Sequence, residues 1–233
     1  MLNTVYRLVE PRRIESEFSD IDVNGDSVLV RPTHLSICNA DQRYFQGTRP
    51  PEVLKKKLPM ALIHEAIGKV IYDPAGDFEP GQKVVMVPNT PMEEDDIVAE
   101  NYLRSSKFRA SGFDGFMQDI VAMRRDRVVT VPDGIDDYVA AFTELVSVSY
   151  HAIDRFDRKA HGRRNVLGVW GDGNLAFITS LLLKKRFPES KVYIFGKHEY
   201  KMDDFAFADE TFFIDAIPED LRIDHGFECV GKA

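Results

Sequence analysis

The side chains best suited to chemistry in this 233-residue sequence are one cysteine, one histidine and two glutamates. Cys38 lies in the run SICNADQRYF, His64 and Glu65 are adjacent in PMALIHEAIG, and Glu144 lies in FTELVSV. Each alone has an ordinary explanation as a buried thiol, a core imidazole or a paired carboxylate. Together they form a borderline-soft ligand set that suits Zn²⁺ with an open position for water or substrate. Spacing alone does not show that they converge, so a zinc site is a hypothesis at this point.

A glycine-rich turn near residue 170 has the form of a dinucleotide-binding loop. Gly171, Gly173, Asn174 and Ala176 fit the pattern G-x-G-x-x-G/A, between the strand-like run NVLGVW and the helix-like run LAFITSLLLKKRF. Glycines at these positions let the backbone turn tightly and approach a pyrophosphate at the start of a helix. We therefore predict a dinucleotide site, against the alternative of a glycine turn in some other βα unit.

The end of the next predicted strand indicates which nicotinamide nucleotide is bound. NAD-binding units place Asp or Glu there, about 20 residues past the glycines, to bind the ribose 2′-hydroxyl. Gly196 occupies this position and is followed by Lys197 and His198. A missing carboxylate with added cations favours the 2′-phosphate of NADP(H), unless these cations are only solvated loop residues.

The pattern of elements around these sites divides the chain in two. Short β-rich runs with Gly and Pro turns fill residues 1–150 and predict a barrel-like β domain. Residues 151–233 read as strand, glycine turn, helix and strand, the start of a doubly wound parallel sheet. The run IDDYVAAFTELVSVSYHAIDRF predicts a helix with two apolar rows, largely buried and connecting the domains. Only half of a six-stranded nucleotide fold is present, so we expect the C-terminal part of that domain to be missing.

Composition excludes several other classes of protein. The net charge is −8 and the cations are scattered, so nucleic-acid binding is not expected. No apolar run approaches the ~18 residues of a membrane helix, and the N-terminus lacks the apolar region of a signal peptide. Two cysteines, Cys38 and Cys229, cannot form a disulfide framework, so the reducing cytoplasm is the expected location.

Three separated motifs resemble the zinc-dependent medium-chain alcohol and polyol dehydrogenases. SICNADQRYF resembles their G-I-C-x-x-D segment, IHEAIGKV their G-H-E-x-x-G segment, and FTELVSVSYHA the E-P-L-S-V-G-x-H-A segment of the sorbitol dehydrogenase branch. The resemblance covers nearly the whole chain. It implies a GroES-like β-barrel catalytic domain followed by a Rossmann domain, α/β plus β in class. It also implies that Cys38, His64 and Glu144 hold one catalytic zinc, with Glu65 a neighbouring carboxylate that ligates or exchanges.

Two departures from that family pattern matter for the chemistry. The run NTPMEEDDIVAENYLRSSKFRASG replaces a lobe that usually carries four cysteines, so a structural zinc is excluded on ligand count. Ala40 replaces the Ser or Thr of the usual proton relay, which leaves Tyr44, or zinc-bound water with Glu65, as the proton route. By its place in the motif, Asp41 is expected to orient His64 from behind the metal ligands.

The resemblance narrows to the ribulose-5-phosphate reductases that supply CDP-ribitol for wall teichoic acids or capsules. NADQRYF, KLPMALIHE, VVMVPNTP, DDIVAENYL, GFMQD and FECVG carry it from end to end of the chain. It implies NADPH-dependent reduction of D-ribulose 5-phosphate to D-ribitol 5-phosphate, a homodimer and association with a ribitol-5-phosphate cytidylyltransferase. A free-polyol (sorbitol or xylitol) dehydrogenase and a non-catalytic NADP-binding partner subunit remain alternatives. The retained metal ligands argue against the non-catalytic subunit.

A phosphorylated substrate requires a cationic anchor away from the reacting carbonyl, preferably a bidentate arginine. Arg43 is ranked first, because it lies five residues past Cys38. Arg104 and Arg109 lie in the cysteine-free lobe and are the other two candidates, and a solvated surface role is open for all three.

Overall fold

A computed structural model describes residues 1–23 and 25–231 of the chain. The chain divides into two compact units, Met1–Glu144 and a second that starts at Leu145. Each unit is described by itself below.

In the part of the chain that the structure describes, the first unit contains ten strands in three antiparallel sheets, with orders β2-β1-β4, β10-β6-β5-β3-β9 and β7-β8. Two short helices lie between β3 and β4, and a third follows β10. The strands are β1 (Leu2–Glu10), β2 (Arg13–Asp20), β3 (Ser27–Ser36), β4 (Met60–Ala61), β5 (Glu65–Tyr72), β6 (Lys83–Met86), β7 (Asn89–Thr90), β8 (Lys107–Phe108), β9 (Val121–Arg124) and β10 (Val128–Thr130), and the helices are α1 (Asn39–Phe45), α2 (Pro51–Lys57) and α3 (Asp137–Ala140).

Apolar residues of the five-stranded sheet pack into the main core of this unit, because they recur on the inward face of neighbouring strands. Val30, Val70, Met86 and Met123 of these strands are buried in one cluster with Phe116, which precedes β9. This sheet positions the candidate site, since β3 leads into the segment of Cys38 and β5 begins at Glu65, one residue after His64.

The second unit contains a four-stranded parallel sheet in the order β13-β12-β11-β14, flanked in sequence by helices. This is the 3-2-1-4 strand order of a Rossmann fold. None of the described helices is long and apolar enough to cross a membrane. The elements are α4 (Thr143–Lys159), β11 (Val166–Trp170), α5 (Asn174–Arg186), β12 (Lys191–Gly196), α6 (Glu199–Met202), β13 (Glu210–Phe213) and β14 (His225–Glu228).

The long helix predicted around residues 135–156 is divided, and its burial was predicted wrongly. It consists of α3, capped by the Asp136 carboxylate, and of α4. Val139 and Val148 are 64% and 45% exposed. Only the row of α4 that includes Ser149 and Ile153 is buried, because one face of the helix packs into the core of the parallel-sheet unit.

Candidate active site

A cysteine from one segment and an adjacent histidine and glutamate from another form a group in the first unit that could hold a metal ion. The ligand atoms of Cys38, His64 and Glu65 all lie within 4.8 Å of one another. Cys38 directly precedes α1, His64 ends the connection from β4 to β5, and Glu65 begins β5. The Cys38 Sγ lies 3.7 Å from the Nε2 of His64. The close group thus contains Cys38 and His64 of the predicted ligand set, together with Glu65, the predicted neighbouring carboxylate.

Asp41 connects the two segments that carry the cysteine and the histidine. Its buried carboxylate accepts hydrogen bonds at Oδ2 from the Cys38 N–H (3.2 Å) and thiol (3.0 Å). Its Oδ1 accepts from the backbone N–H of Ile63 (2.9 Å). Ile63 has a φ of 72°, which is unusual for a β-branched residue, and its carbonyl accepts from the Phe116 N–H (2.7 Å). Asp41 therefore positions His64 through the strained backbone residue before it.

Burial sets the protonation of this group. It raises the pKa of the Cys38 thiol to about 12, with a further contribution from the hydrogen bond to Asp41. It also lowers the pKa of His64 and raises that of Glu65. The Glu65 Oε2 is buried and has no hydrogen-bond partner within the described residues. A divalent cation would satisfy this oxygen and favour the thiolate and carboxylate forms, so the donor set fits zinc.

Glu144 lies at the start of α4 and is not a member of the group of three whose ligand atoms lie closest together. Its burial, followed by the negative charges of Glu65 and Asp41, raises the pKa of its carboxyl to about 7. The carboxyl thus lies in the electrostatic field of the metal-binding group. A cation there would lower this pKa, since it would offset the repulsion among the acids.

One aromatic side chain contacts this group, and another lies in the apolar cluster of the residues that precede His64. The His64 ring meets the Phe108 ring edge to face, with centroids 5.1 Å apart. Tyr44 on α1 is only 3% exposed and belongs to an apolar cluster with Leu62 and Ile63. The Arg49 guanidinium lies over the Tyr44 ring, 4.9 Å from its centroid. Arg49 was not among the arginines predicted from the sequence, although it is close to Cys38 in the chain.

The three arginines predicted to bind phosphate lie in different environments. Arg43 is half-buried on α1, and Arg104 is exposed. The Arg109 guanidinium donates to the carbonyl oxygens of Asp114 (3.1 Å) and Ala122 (2.8 Å). This engagement with the backbone argues for a structural role of Arg109.

Ion pairs tie the cysteine-free lobe, residues 89–112, to the sheet. The Arg127 guanidinium binds both carboxylate oxygens of Glu100, at 2.8 and 3.0 Å, and Arg124 donates to the Pro91 carbonyl (2.8 Å). Charge-assisted bidentate contacts thus hold a segment that carries no thiol ligands.

The glycine turn of the second unit leads directly into α5. Gly171 has a φ of 132°, and a Cβ there would lie 3.3 Å from the Cβ atoms of Ala176 and Cys229. Gly173 caps α5, which begins at Asn174. The backbone thus remains free of side chains at the point where a helix presents its first N–H groups, as a pyrophosphate site requires.

Asp172, within this turn, binds the segment that follows β12. Its Oδ2 accepts from the backbone N–H groups of Lys197 (2.8 Å) and His198 (2.9 Å) and lies 2.8 Å from the His198 Nδ1. Burial opposes the charge of this carboxylate, but these contacts outweigh it and lower its pKa. The predicted pyrophosphate turn and the predicted 2′-phosphate residues are therefore connected.

Gly196 has a packing requirement of its own. A Cβ at this position would lie 2.2 Å from the Met202 Sδ and 3.0 Å from the Asp172 Cβ. The absence of an acid at the end of β12 thus has a local steric reason, whichever cofactor binds.

Comparison with known proteins agrees with this geometry. Residues 24–133 match the family described as the alcohol dehydrogenase GroES-like domain. With the parallel sheet and its glycine turn, this match defines the chain as an oxidoreductase of the medium-chain dehydrogenase type.

More similar relatives define the group within that class. The chain is 61% identical to the ribulose-5-phosphate reductase of Bacillus spizizenii and 56% identical to ribulose-5-phosphate reductase 1 of Staphylococcus aureus, covering 99% of this chain and 68% of each relative. The crystal structure of S. aureus TarJ in complex with NADPH matches with a TM-score of 0.83 and 50% identity, over 99% of this chain and 65% of that one. The chain belongs to the ribulose-5-phosphate reductase family of zinc-type medium-chain dehydrogenases. The predictions of this family and of the two-part fold are confirmed.

Proposed function

We propose that the protein uses NADPH to reduce the C2 ketone of D-ribulose 5-phosphate, giving D-ribitol 5-phosphate. The observation that carries this proposal is the 61% identity to a ribulose-5-phosphate reductase across 99% of the chain. The chain spans about two thirds of its relatives' length, 68% of that enzyme and 65% of the crystallised TarJ.

We further propose that one zinc ion per chain binds Cys38, His64 and Glu144, with Glu65 ligating or exchanging. The close donor atoms, the unsatisfied Glu65 oxygen and the raised pKa of Glu144 support this. Zinc in such a site supplies Lewis-acid polarisation of a carbonyl, and NADPH supplies a hydride. We do not assign a second, structural zinc to the lobe at residues 89–112, which contains no cysteine.

The chain's own residues orient the donors and carry the proton. Asp41 holds Cys38 and the backbone before His64, so that thiol and imidazole keep their relative position. Ala40 offers no hydroxyl, so the proposed proton route runs through Tyr44 or, as the alternative, through water together with Glu65. Burial raises the pKa of Glu65, which favours its protonated form when no cation is bound.

For the cofactor, we propose that the pyrophosphate lies against Gly171, Gly173, Asn174 and Ala176. Lys197 and His198 are then the partners of the 2′-phosphate. Gly196 has no side chain that would obstruct these contacts. The contacts of Asp172 support this arrangement, because they hold both residues beside the glycine turn. The NADPH complex of the related TarJ points to the same cofactor.

The proposed setting follows from the family. Reduction of ribulose 5-phosphate would supply CDP-ribitol for wall teichoic acid or capsule synthesis, in the cytoplasm, by a homodimer associated with a ribitol-5-phosphate cytidylyltransferase. Co-purification of that partner and the mass of the protein in solution test the two assembly proposals. We also propose residues 1–150 as the catalytic domain and 151–233 as the N-terminal half of the nucleotide domain.

A substrate comparison tests the proposed reaction. NADPH oxidation should be fast with D-ribulose 5-phosphate and slow with D-ribulose, and NADP+ reduction should be slow with sorbitol or xylitol. Equal kcat/KM values for the phosphorylated and free ketopentose would favour a free-polyol dehydrogenase instead. Absence of turnover with any of them, despite bound zinc, would favour a non-catalytic partner subunit.

A further inference from the structure

The loop between α1 and α2 brings an arginine back over the helix that begins beside Cys38. Gly47 has a φ of 74°, and its N–H donates to the Tyr44 carbonyl (3.1 Å), so the chain turns sharply after α1. A Cβ at this position would lie 2.9 Å from the side chain of Pro11. Glycine is therefore required both by conformation and by space. The turn places the Arg49 guanidinium 4.9 Å from the centroid of the Tyr44 ring.

The hydrogen-bonding capacity of Arg49 is not used up by the protein. Its Nε is buried and has no hydrogen-bond partner in the part of the chain that the structure describes. A guanidinium has five N–H donors in a planar fork, and an unpaired buried donor is costly. The fork matches two oxygens of a phosphate, and the ring of Tyr44 fixes its plane by a cation–π contact.

Tyr44 connects this arginine to the metal-binding group. α1 begins directly after Cys38, and Tyr44 packs with Leu62 and Ile63, the two residues before His64. Along α1, Tyr44 is ~9 Å from Cys38, at 1.5 Å per helical residue. Arg49 is thus held at some distance from the metal ligands, as an anchor for the far end of a substrate must be.

The surrounding segment has a charge that suits an anion. Residues 39–57 contain five lysines and arginines but only two acids, Asp41 and Glu52, in a chain with a net charge of −8. The Asp41 carboxylate is already engaged by Cys38 and Ile63. A local positive potential attracts a phosphate dianion to this part of an otherwise acidic protein.

We propose that Arg49, stacked on Tyr44, binds the phosphate of the sugar substrate. This inference rests on the proposed phosphosugar activity and names the residue that recognises the phosphate. The energy of this remote contact orients the carbonyl at the metal, so loss of Arg49 affects kcat as well as KM. Arg49→Lys keeps the charge but loses the planar fork, so its kcat/KM is intermediate between those of the wild type and Arg49→Ala.

The test uses the purified protein loaded with zinc and assayed by NADPH oxidation. Wild type, Arg49→Ala, Arg49→Lys and the matched control Arg31→Ala, an exposed residue of β3, are compared with D-ribulose 5-phosphate and with D-ribulose. Inorganic phosphate is titrated as a competitive inhibitor in parallel, and thermal melting reports folding. The wild-type comparison of the two sugars tests the proposed function by itself, before any variant is considered.

With the phosphorylated sugar, kcat/KM should fall on the order of 100-fold in Arg49→Ala and about tenfold in Arg49→Lys, as expected for charge-assisted contacts. The rate with D-ribulose and all rates of Arg31→Ala should stay within about threefold of wild type. Competitive inhibition by inorganic phosphate should be weaker in Arg49→Ala than in the wild type. Equal losses with both sugars, or unchanged phosphate inhibition, would show that Arg49 only supports the fold. A wild type without preference for the phosphorylated sugar would overturn the proposed function and this inference together.

Discussion

The Sγ of Cys38 lies 3.7 Å from the Nε2 of His64, although 26 positions separate the two residues in the chain. Their relationship is fixed by one carboxylate, that of Asp41, which binds Cys38 directly and the backbone of Ile63 at the other segment. If Cys38 and His64 are the metal ligands proposed above, this shared buried acid preorganises them, because neither segment must change position when the ion binds.

Substitution of Asp41 tests this preorganisation. Asp41→Ala should weaken zinc binding by about 10- to 100-fold, the usual cost of removing a group that orients metal ligands. It should also lower the free energy of unfolding by about 2 kcal/mol, since the buried N–H of Ile63 and the part-buried N–H of Cys38 lose their acceptor. The zinc affinity and the stability of Asp41→Asn should lie between those of the wild type and Asp41→Ala, because the amide oxygen can still accept a hydrogen bond from the Ile63 N–H. Competition with a chelator of known affinity measures the binding, with the exposed Asp133→Ala as control. A zinc affinity equal to that of the wild type in Asp41→Ala would mean that zinc binding does not depend on the hydrogen bonds of Asp41.

Cofactor preference depends on the segment after β12. We expect NADPH to bind more tightly than NADH, and Lys197→Ala and His198→Ala each to reduce that preference about tenfold by removing one phosphate contact. Asp172→Ala should reduce it as well, because Lys197 and His198 lose the carboxylate that holds them. Lys191→Ala, at the opposite end of β12, is the matched control.

Fluorescence titration of both nucleotides gives the affinities. Equal affinity of the wild type for NADPH and NADH would contradict the assignment. Gly196→Asp is a poor test, since its side chain would collide with Met202 whatever the cofactor.

Acid stability depends in part on the turn after β5. The fully buried Asp73 carboxylate accepts from the backbone N–H groups of Ala75 (3.2 Å) and Phe78 (3.0 Å) and from Arg125 (2.5 Å). Burial alone would raise the pKa of Asp73, but these bonds outweigh it and lower the pKa. Its contribution to stability is therefore complete above the unfolded-state pKa of about 4 and is lost as the pH falls towards the folded-state value.

Asp73→Asn keeps the shape of the side chain but removes its charge. It should destabilise the protein by on the order of 2 kcal/mol at pH 7 and by less at pH 3, where protonation of Asp73 in the unfolded chain already removes part of the contribution of its charge. Urea unfolding across this pH range measures the difference. A loss of stability that is the same at both pH values would rule out the charge of Asp73 as its source.

The sequence predicted the elements with strong apolar patterns and missed those that lack them. The runs SVLVRP and NVLGVW gave β3 and β11, since Val28, Val30, Leu167 and Val169 are buried. By contrast, β2 (RIESEFSD) is an exposed edge strand whose polar composition conceals its pairing with β1. The short helices α1 and α2 were likewise not predicted, because they depend on tertiary contacts more than on periodicity.

Residue type suggested a metal site, and the family resemblance assigned Cys38, His64 and Glu144 to it, with Glu65 beside them; this assignment stays a prediction. The path from Asp41 to the backbone of Ile63 could not be read from the sequence, because it depends on a left-handed conformation of a β-branched residue. Arg49 was also missed, since only the turn at Gly47 brings it over Tyr44. Both features arise from loop geometry, which local sequence patterns determine weakly.

The most direct test of the account joins metal content to activity in one purified sample. Zinc is measured per chain, and NADPH oxidation with D-ribulose 5-phosphate is followed before chelation, after chelation and after zinc is returned. We expect one zinc per chain, loss of activity with the metal, recovery on its return, and neither zinc nor activity in Cys38→Ser. Full activity in the metal-free protein or in Cys38→Ser would contradict the central claim that Cys38 and His64 hold a zinc ion required for the reduction of a phosphorylated ketopentose by NADPH.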